Sequence, residues 1–184
     1  MPSGSQVAYS ALKTVGNIEK DQKILIHAGA GGVGIAAIQI AKYFGAHVTT
    51  TASEKNIKLV KSLGADVVFN YNDTNLSKIS EKYDLILDSI GGQTQVDSWE
   101  LLNEHGTLVS LVSDEQKNFR TIYPTQKFFF MRGVQGNPAH IINELIIERK
   151  IKPVIDQIYG FKDIDQAHTR SETGHVSGKL VVQL

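Results

Sequence analysis

Three glycines stand in a spacing that suits the binding of a phosphate group. Gly29, Gly31 and Gly34 follow one another in the pattern G-x-G-x-x-G, after an apolar run and before a helix-like stretch. In that strand–turn–helix context the first glycine permits a tight turn and the second lets a pyrophosphate approach the backbone. The third lets the helix pack close to the strand, and the positive end of the helix faces the phosphates. We therefore predict a dinucleotide site at Gly29, Ala30, Gly31, Gly32 and Val33.

The residues after the second apolar run bear on which dinucleotide binds. An Asp or Glu at that point would accept hydrogen bonds from the ribose 2′-hydroxyl and repel a 2′-phosphate. Here Ser53 can donate a hydrogen bond, and Lys55 or Asn56 can reach a phosphate, although a lone lysine is also an ordinary surface charge. Glu54 would favour NAD if it turned towards the ribose. The segment as a whole favours NADP.

Four more residues are expected near the cofactor because they lie at the ends of predicted strands of the same sheet. Tyr71 would hydrogen-bond the 2′-phosphate, line the adenine pocket, or simply end its strand. Ser89 and Gly91 follow the fourth strand and Leu111 lies at the end of the fifth, where the nicotinamide half of a cofactor would run, although Gly91 could also just make a turn.

Short apolar runs alternate with amphipathic segments along the chain, which indicates βαβ units and a parallel sheet. We predict an α/β Rossmann-type, doubly wound sheet of six strands in the order 3-2-1-4-5-6, followed by a short C-terminal α/β tail over residues 151–184. The predicted strands are 23–27, 47–52, 66–70, 85–88, 107–112 and 127–131, with tail strands at 151–155 and 178–182. The predicted helices are 6–15, 34–44, 55–63, 94–103 and 139–150.

The composition excludes several classes of function. The 19 basic and 19 acidic residues cancel and form no long block, so neither nucleic acid nor an anionic membrane is an expected partner. The chain has no cysteine, which excludes disulfides and cysteine-ligated metal. Its six histidines lack metal-ligand spacing, and we interpret them as surface or core residues. No apolar run approaches the ~20 residues that span a bilayer, and no signal peptide is recognisable, so a cytoplasmic protein is expected.

Several segments together resemble the cofactor-binding half of the medium-chain dehydrogenase/reductase superfamily, in its zinc-independent quinone oxidoreductase (zeta-crystallin-like) branch. The matching segments are collinear and span almost the whole chain: residues 27–34, 51–56, 62–66, 88–92 and 174–182. The resemblance implies NADPH binding and hydride transfer to quinones or α,β-unsaturated carbonyl compounds. It also implies that Ser53, Lys55 and Tyr71 surround the 2′-phosphate and that Lys179 returns near the cofactor.

The resemblance carries expectations about what accompanies this domain. Relatives carry an upstream GroES-like domain that forms much of the substrate pocket, and this chain begins at about the linking helix, so residues 1–184 are expected to be an NADP-binding domain alone. The catalytic residues are therefore unassigned, and no zinc is expected. Relatives also extend their sheet across a dimer, which predicts a homodimer through the edge strand from Lys127 to Met131, unless the tail buries this edge.

Two other functions share the same glycine turn. A non-catalytic module that binds or senses NADP(H) would need no substrate pocket. An S-adenosylmethionine methyltransferase would usually need an acidic residue at the end of the second strand, where Ala52 and Ser53 stand.

Overall fold

The computed structural model describes residues 2–114 and 119–184. Six parallel strands form one sheet in the order β3-β2-β1-β4-β5-β6, which confirms the predicted order. Their bounds are Lys23–Ile26 (β1), His47–Ala52 (β2), Val67–Asn70 (β3), Tyr83–Asp88 (β4), Leu102–Ser110 (β5) and Lys127–Phe130 (β6). The order reverses between β1 and β4, so the carboxyl ends of these two strands flank the crevice where ligands bind in such sheets.

Helices cover both faces of the sheet, because the strands are apolar on both sides. Ile24 and Ile26 of β1 pack into one core, whereas Leu25 between them packs into the other. The helices of the first core are Pro2–Tyr9 (α1), Gly34–Tyr43 (α2), Ile57–Ser62 (α3) and Ala139–Ile147 (α6), and those of the second are Gly92–Glu100 (α4) and Phe119–Ile122 (α5). A π-helical segment, Ser10–Val15, continues α1, and a 3₁₀ turn, Glu54–Asn56, precedes α3. Trp99 of α4 is wholly buried in the second core.

One predicted element ends early. The helix expected over 94–103 runs from Gly92 to Glu100, and the next strand begins at Leu102. Leu102 pairs with Tyr83 ahead of an irregularity in the β4–β5 ladder, which lengthens β5 beyond the apolar run that predicted it. Gly106 therefore lies within a strand, and adding a Cβ there would bring it to 2.9 Å from the carbonyl oxygen of Tyr83.

The tail forms a separate two-stranded parallel sheet from Ile155–Gly160 (β7) and Lys179–Gln183 (β8), with Ile164–Glu172 (α7) between them. The strand predicted over 151–155 is wrong, because α2 holds this segment instead. The side-chain amide of Gln39 donates to the carbonyl of Lys152 at 3.0 Å and accepts from its N–H at 2.8 Å. These two bonds satisfy the Lys152 backbone as a neighbouring strand would, while Ile151 is buried in the first core.

Candidate functional site

The glycine turn lies at the carboxyl end of β1 and presents free backbone donors. Ala28 has a left-handed backbone with φ of 53°, and the N–H of Gly31 donates to its carbonyl oxygen at 2.9 Å. Among the described residues, no hydrogen bond uses the N–H groups of Gly32, Val33 or Gly34. Unpaired donors at the start of a helix, together with the helix dipole, make this turn suitable for an anion.

The three glycines of the fingerprint serve different steric needs. A Cβ on Gly34 would lie 2.2 Å from the carbonyl oxygen of Ala28, which is the close helix–turn packing that the spacing predicts. A Cβ on Gly29 would lie 2.1 Å from Thr50 Oγ1, whereas one on Gly31 would lie 3.2 Å from the Ala28 oxygen. The positive φ of the turn belongs to Ala28. Gly29 is therefore required by its neighbour on β2, while Ala28 takes the left-handed conformation of the turn.

A pocket of about 100 Å³, which we call the smaller pocket, lies between the glycine turn and the end of β2. It brings together three residues predicted to recognise a 2′-phosphate, Ser53, Lys55 and Tyr71. Its lining is Ala28, Ala30, Gly31, Thr51, Ala52, Ser53, Lys55, Asn56, Tyr71, Gly174, His175 and Val176. Glu54 is exposed and absent from this lining, and among residues 2–114 and 119–184 no other carboxylate lines the pocket. The pocket therefore suits a negatively charged group.

A larger pocket of about 550 Å³ adjoins the smaller one and shares Tyr71 and His175 with it. Its lining is His27, Ala28, Thr51, Tyr71, Thr74, Asn75, Leu76, Ile90, Thr94, Asp97, Gly174 and His175. Side chains such as Leu76 and Ile90 give part of its wall an apolar character, which suits a flat ring more than a second phosphate.

The loop after β4 is organised by a buried carboxylate. Asp88 Oδ1 accepts the N–H groups of Ile90 at 2.9 Å and Gly91 at 2.8 Å, and Oδ2 accepts Gln95 Nε2 at 2.8 Å and Ser110 Oγ at 2.9 Å. Gly91, with φ of 77° and ψ of −163°, occupies a region that is essentially reserved for glycine, immediately before α4. This carboxylate therefore fixes how the loop crosses the carboxyl edge of the sheet.

Three predicted residues near this loop lie outside the linings of both pockets. Ser89 Oγ donates to the carbonyl of His27 at 3.2 Å, Gly91 precedes α4, and Leu111 is half-buried against the first core. The structure therefore separates Ser89, Gly91 and Leu111 from the group formed by Ser53, Lys55 and Tyr71.

His27, which follows β1, belongs to a hydrogen-bond network in which each donor and acceptor can be assigned. The Ala28 N–H donates to Thr51 Oγ1 at 3.0 Å, and that hydroxyl lies 3.5 Å from His27 Nδ1. On the other side, His27 Nε2 lies 2.9 Å from Ser98 Oγ, whose proton goes to the carbonyl of Thr94 at 2.6 Å. Because the Ser98 hydroxyl already donates, Nε2 must carry the imidazole proton. Burial lowers the pKa of His27 to about 4, against a smaller opposing effect of Asp88 and Asp97, so the ring is neutral at pH 7.

The tail and the first helix close over the glycine turn. The N–H of Gly178 donates to the carbonyl of Ala30 at 2.9 Å. A Cβ added to Gly32 would lie 2.4 Å from Lys179 Nζ, so the predicted lysine is brought to the turn. Gly4 of α1 touches the same place, since its Cβ would lie 2.2 Å from the carbonyl oxygen of Gly32.

Asn56, which the sequence offers beside Lys55 as a contact to a phosphate, lines the smaller pocket, and its side chain accepts a hydrogen bond from Ser177 Oγ at 2.9 Å. Two other residues of this region were not predicted to lie at the site. Gly4 had no recognisable motif around it, and His175 was interpreted as a surface or core residue. His175 is exposed, but it also lines both pockets, which its spacing along the chain could not reveal.

Within residues 2–114 and 119–184, no three His, Asp or Glu side chains converge in a way that could hold a metal ion. In the same residues, no helix combines the length and the apolar character that crossing a bilayer requires.

Comparisons with known proteins agree on one family. Residues 63–182 match the family described as zinc-binding dehydrogenase. The chain is 32% identical over 217 residues to the zebrafish mitochondrial NAD(P)H oxidoreductase RTN4IP1, covering all of this chain and 56% of that protein. It is 34% identical over 165 residues to the chloroplastic NADPH-dependent alkenal/one oxidoreductase of Arabidopsis thaliana, covering 88% of this chain and 40% of that protein.

A solved structure gives the same result. The quinone oxidoreductase of Coxiella burnetii superposes on the whole chain with a TM-score of 0.89 at 34% identity, and the match covers 59% of that structure's chain. The present chain thus spans about half the length of the proteins that it matches.

Proposed function

Because this chain belongs to the zinc-binding dehydrogenase family, we propose that it is the NADP(H)-binding domain of an oxidoreductase acting on quinones or α,β-unsaturated carbonyl compounds. The observation that carries the proposal is the smaller pocket, which places Lys55 beside the glycine turn and has no carboxylate in the part of its lining that the structure describes. The names of the relatives in Arabidopsis and Coxiella, an alkenal/one oxidoreductase and a quinone oxidoreductase, support the substrate class.

Each part of the cofactor has a matching surface. The free N–H groups of residues 32–34 and the ammonium of Lys179 would hold the pyrophosphate. Ser53, Lys55 and Tyr71 would hold the 2′-phosphate in the smaller pocket, and the larger pocket would take the adenine. When bound, the reduced nicotinamide supplies a hydride to the electrophilic carbon of the substrate. Ser89, Gly91 and Leu111 stay predicted for the nicotinamide half, and no residue is assigned a catalytic role.

The family description names zinc, but the described residues do not fit a zinc site. They lack a cluster of three ligand side chains, and the chain has no cysteine. The role proposed for these residues is therefore to bind and orient the nucleotide.

Calorimetric titration with NADPH, NADH and S-adenosylmethionine tests the proposal. NADPH should bind most tightly, and Lys55→Gln should weaken NADPH about five- to tenfold, as expected for one exposed charge-assisted contact, while leaving NADH unchanged. Lys58→Gln is the matched control, because Lys58 is exposed nearby on α3 but does not line the pocket. Equal or tighter binding of NADH would contradict the assignment to NADP.

A non-catalytic NADP(H)-binding module makes the same binding prediction. Steady-state assays that follow NADPH oxidation with a quinone and with an enone separate the two functions, and turnover of either substrate excludes the non-catalytic module. The expected cytoplasmic location also stays a prediction; the zebrafish relative is named as mitochondrial, and microscopy of the tagged protein would decide.

We also propose that the domain forms a homodimer through β6. This strand ends the sheet, and Phe129 on it is 42% exposed, so its edge invites pairing with another strand. Sedimentation at micromolar concentration should show a dimer that Phe129→Glu weakens. Phe161→Glu, at a still more exposed aromatic in the tail, should leave the dimer intact. A monomeric wild-type protein would contradict the proposal.

A further inference from the structure

The tail contributes a wall to both pockets of the nucleotide site. Gly174 and His175 line the smaller and the larger pocket, and Val176 lines the smaller pocket. Lys55, which also lines the smaller pocket, comes from the segment after β2, 120 positions away from His175 in the chain. His175 thus stands where the two pockets join.

Several contacts hold the backbone on both sides of this histidine. The N–H of His175 donates to Thr173 Oγ1 at 3.2 Å, and its carbonyl accepts from Arg170 Nη2 at 3.4 Å. Arg170 is itself fixed by an ion pair with Asp156 at 2.9 Å. On the other side, Ser177 Oγ donates to Asn56 Oδ1 at 2.9 Å, which ties the tail to the segment carrying Lys55. The loop is therefore anchored at two points to its surroundings.

The imidazole of His175 is available to a ligand. In the part of the chain that the structure describes, neither a hydrogen bond nor an ion pair engages the side chain of His175, and the same holds for Lys55. An anchored backbone that presents an unpaired donor at a pocket without a carboxylate among the described residues of its lining suits the binding of an anion. We propose that His175 is a second residue that selects NADP over NAD, donating an imidazole N–H to the adenosine 2′-phosphate in the pocket that Lys55 also lines.

This inference rests on the proposed function, since it requires the smaller pocket to hold the 2′-phosphate. It differs from adenine stacking, which the larger pocket would also allow. A stacking ring would stabilise every adenosine nucleotide, whereas a donor to the 2′-phosphate stabilises only those that carry this group.

Titration with adenosine 2′,5′-bisphosphate and with 5′-AMP distinguishes these roles. We expect His175→Ala to weaken the bisphosphate about five- to tenfold and 5′-AMP less than about twofold, because one exposed charge-assisted contact is lost. His175→Lys, which puts a charged N–H donor at the same position, should recover most of the lost affinity. His168→Ala is the control, because His168 is exposed on α7 but lines neither pocket. The emission of Trp99, the single tryptophan, confirms that each variant is folded.

Each contrary result has its own meaning. If His175→Ala weakens both nucleotides equally, the imidazole stacks on the adenine and the inference is wrong. If the affinity for both is unchanged, His175 does not contact the nucleotide and the inference is also wrong. Failure of the wild-type protein to bind either nucleotide would instead overturn the proposed function itself.

Discussion

Replacing Asp88 should be among the more damaging single changes at the carboxyl edge of the sheet. Its side chain is wholly buried and accepts four hydrogen bonds, two from the loop backbone, one from Gln95 and one from Ser110. Asp88→Ala leaves all four buried donors without their acceptor. Hydrogen bonds to charged groups contribute ~1.5–3 kcal/mol each, but they share one carboxylate, and water can enter the vacated space. We therefore expect the free energy of unfolding to fall by about 3–5 kcal/mol.

Asp88→Asn separates the geometry of the acceptor from its charge. The asparagine keeps Oδ1 for the N–H groups of Ile90 and Gly91, and its new amide faces Ser110 and Gln95. The Ser110 hydroxyl can rotate to accept a hydrogen bond and the Gln95 amide can turn over, so we expect a loss of only about 1–2 kcal/mol. Asp165→Asn, at an exposed position on α7, is the control and should stay within about 0.5 kcal/mol of wild type.

Urea unfolding followed by the emission of buried Trp99 measures these differences. The reasoning is refuted if Asp88→Ala lies within about 1 kcal/mol of wild type, given the four bonds at stake. It is also refuted if Asn destabilises as much as Ala, because the two N–H bonds of the loop would then contribute nothing.

Three further changes follow from the same geometry. Burial lowers the pKa of His27 to about 4, so as the pH falls below about 6.5 this histidine takes up a proton in the unfolded chain before it does so in the folded protein. The free energy of unfolding should therefore decrease by about 3 kcal/mol between pH 7 and pH 4. Urea unfolding at several pH values measures this dependence, and His27→Gln should lose the part of it that the histidine causes. Gly34→Ala should lower the free energy of unfolding by more than about 2 kcal/mol, because its Cβ would lie 2.2 Å from the Ala28 oxygen. Gly31→Ala should lower it by less than about 1 kcal/mol, because the corresponding distance is 3.2 Å. Similar losses for the two variants in thermal unfolding would contradict this difference. Gly91→Ala should lower the free energy of unfolding by about 1–3 kcal/mol, because residues other than glycine are strained in the backbone conformation of Gly91. An unchanged midpoint of urea unfolding would contradict this prediction and show that the loop relaxes.

The sheet could be predicted from the sequence because its signals are local. Each strand is a short apolar run, and the glycine spacing identifies the first crossover, so the strand order followed from the known behaviour of doubly wound sheets. Ser53, Lys55 and Tyr71 could be placed together for the same reason, since all three follow strands whose carboxyl ends meet at one edge.

The sequence could not predict local structure that depends on a contact with a residue far away in the chain. The run after Ile151 looks like a strand, but the amide of Gln39 satisfies the Lys152 backbone, and the strand starts only at Ile155. In the turn before α2, the glycine spacing does not reveal that the left-handed residue is Ala28, or that Gly29 is needed because of its contact with Thr50. No periodicity in the sequence encodes either contact.

The same limit explains why the tail matters to the proposed site. The smaller pocket combines the segment after β2 with the tail, and the cross-links include the Ser177–Asn56 bond and the Gly178–Ala30 bond. A single neutral hydrogen bond contributes only ~1 kcal/mol, so each of these links alone holds the tail weakly. A nucleotide that touches Lys55 and His175 at once would bind only when the tail is docked. Its binding and the docking of the tail must then stabilise each other by the same free energy.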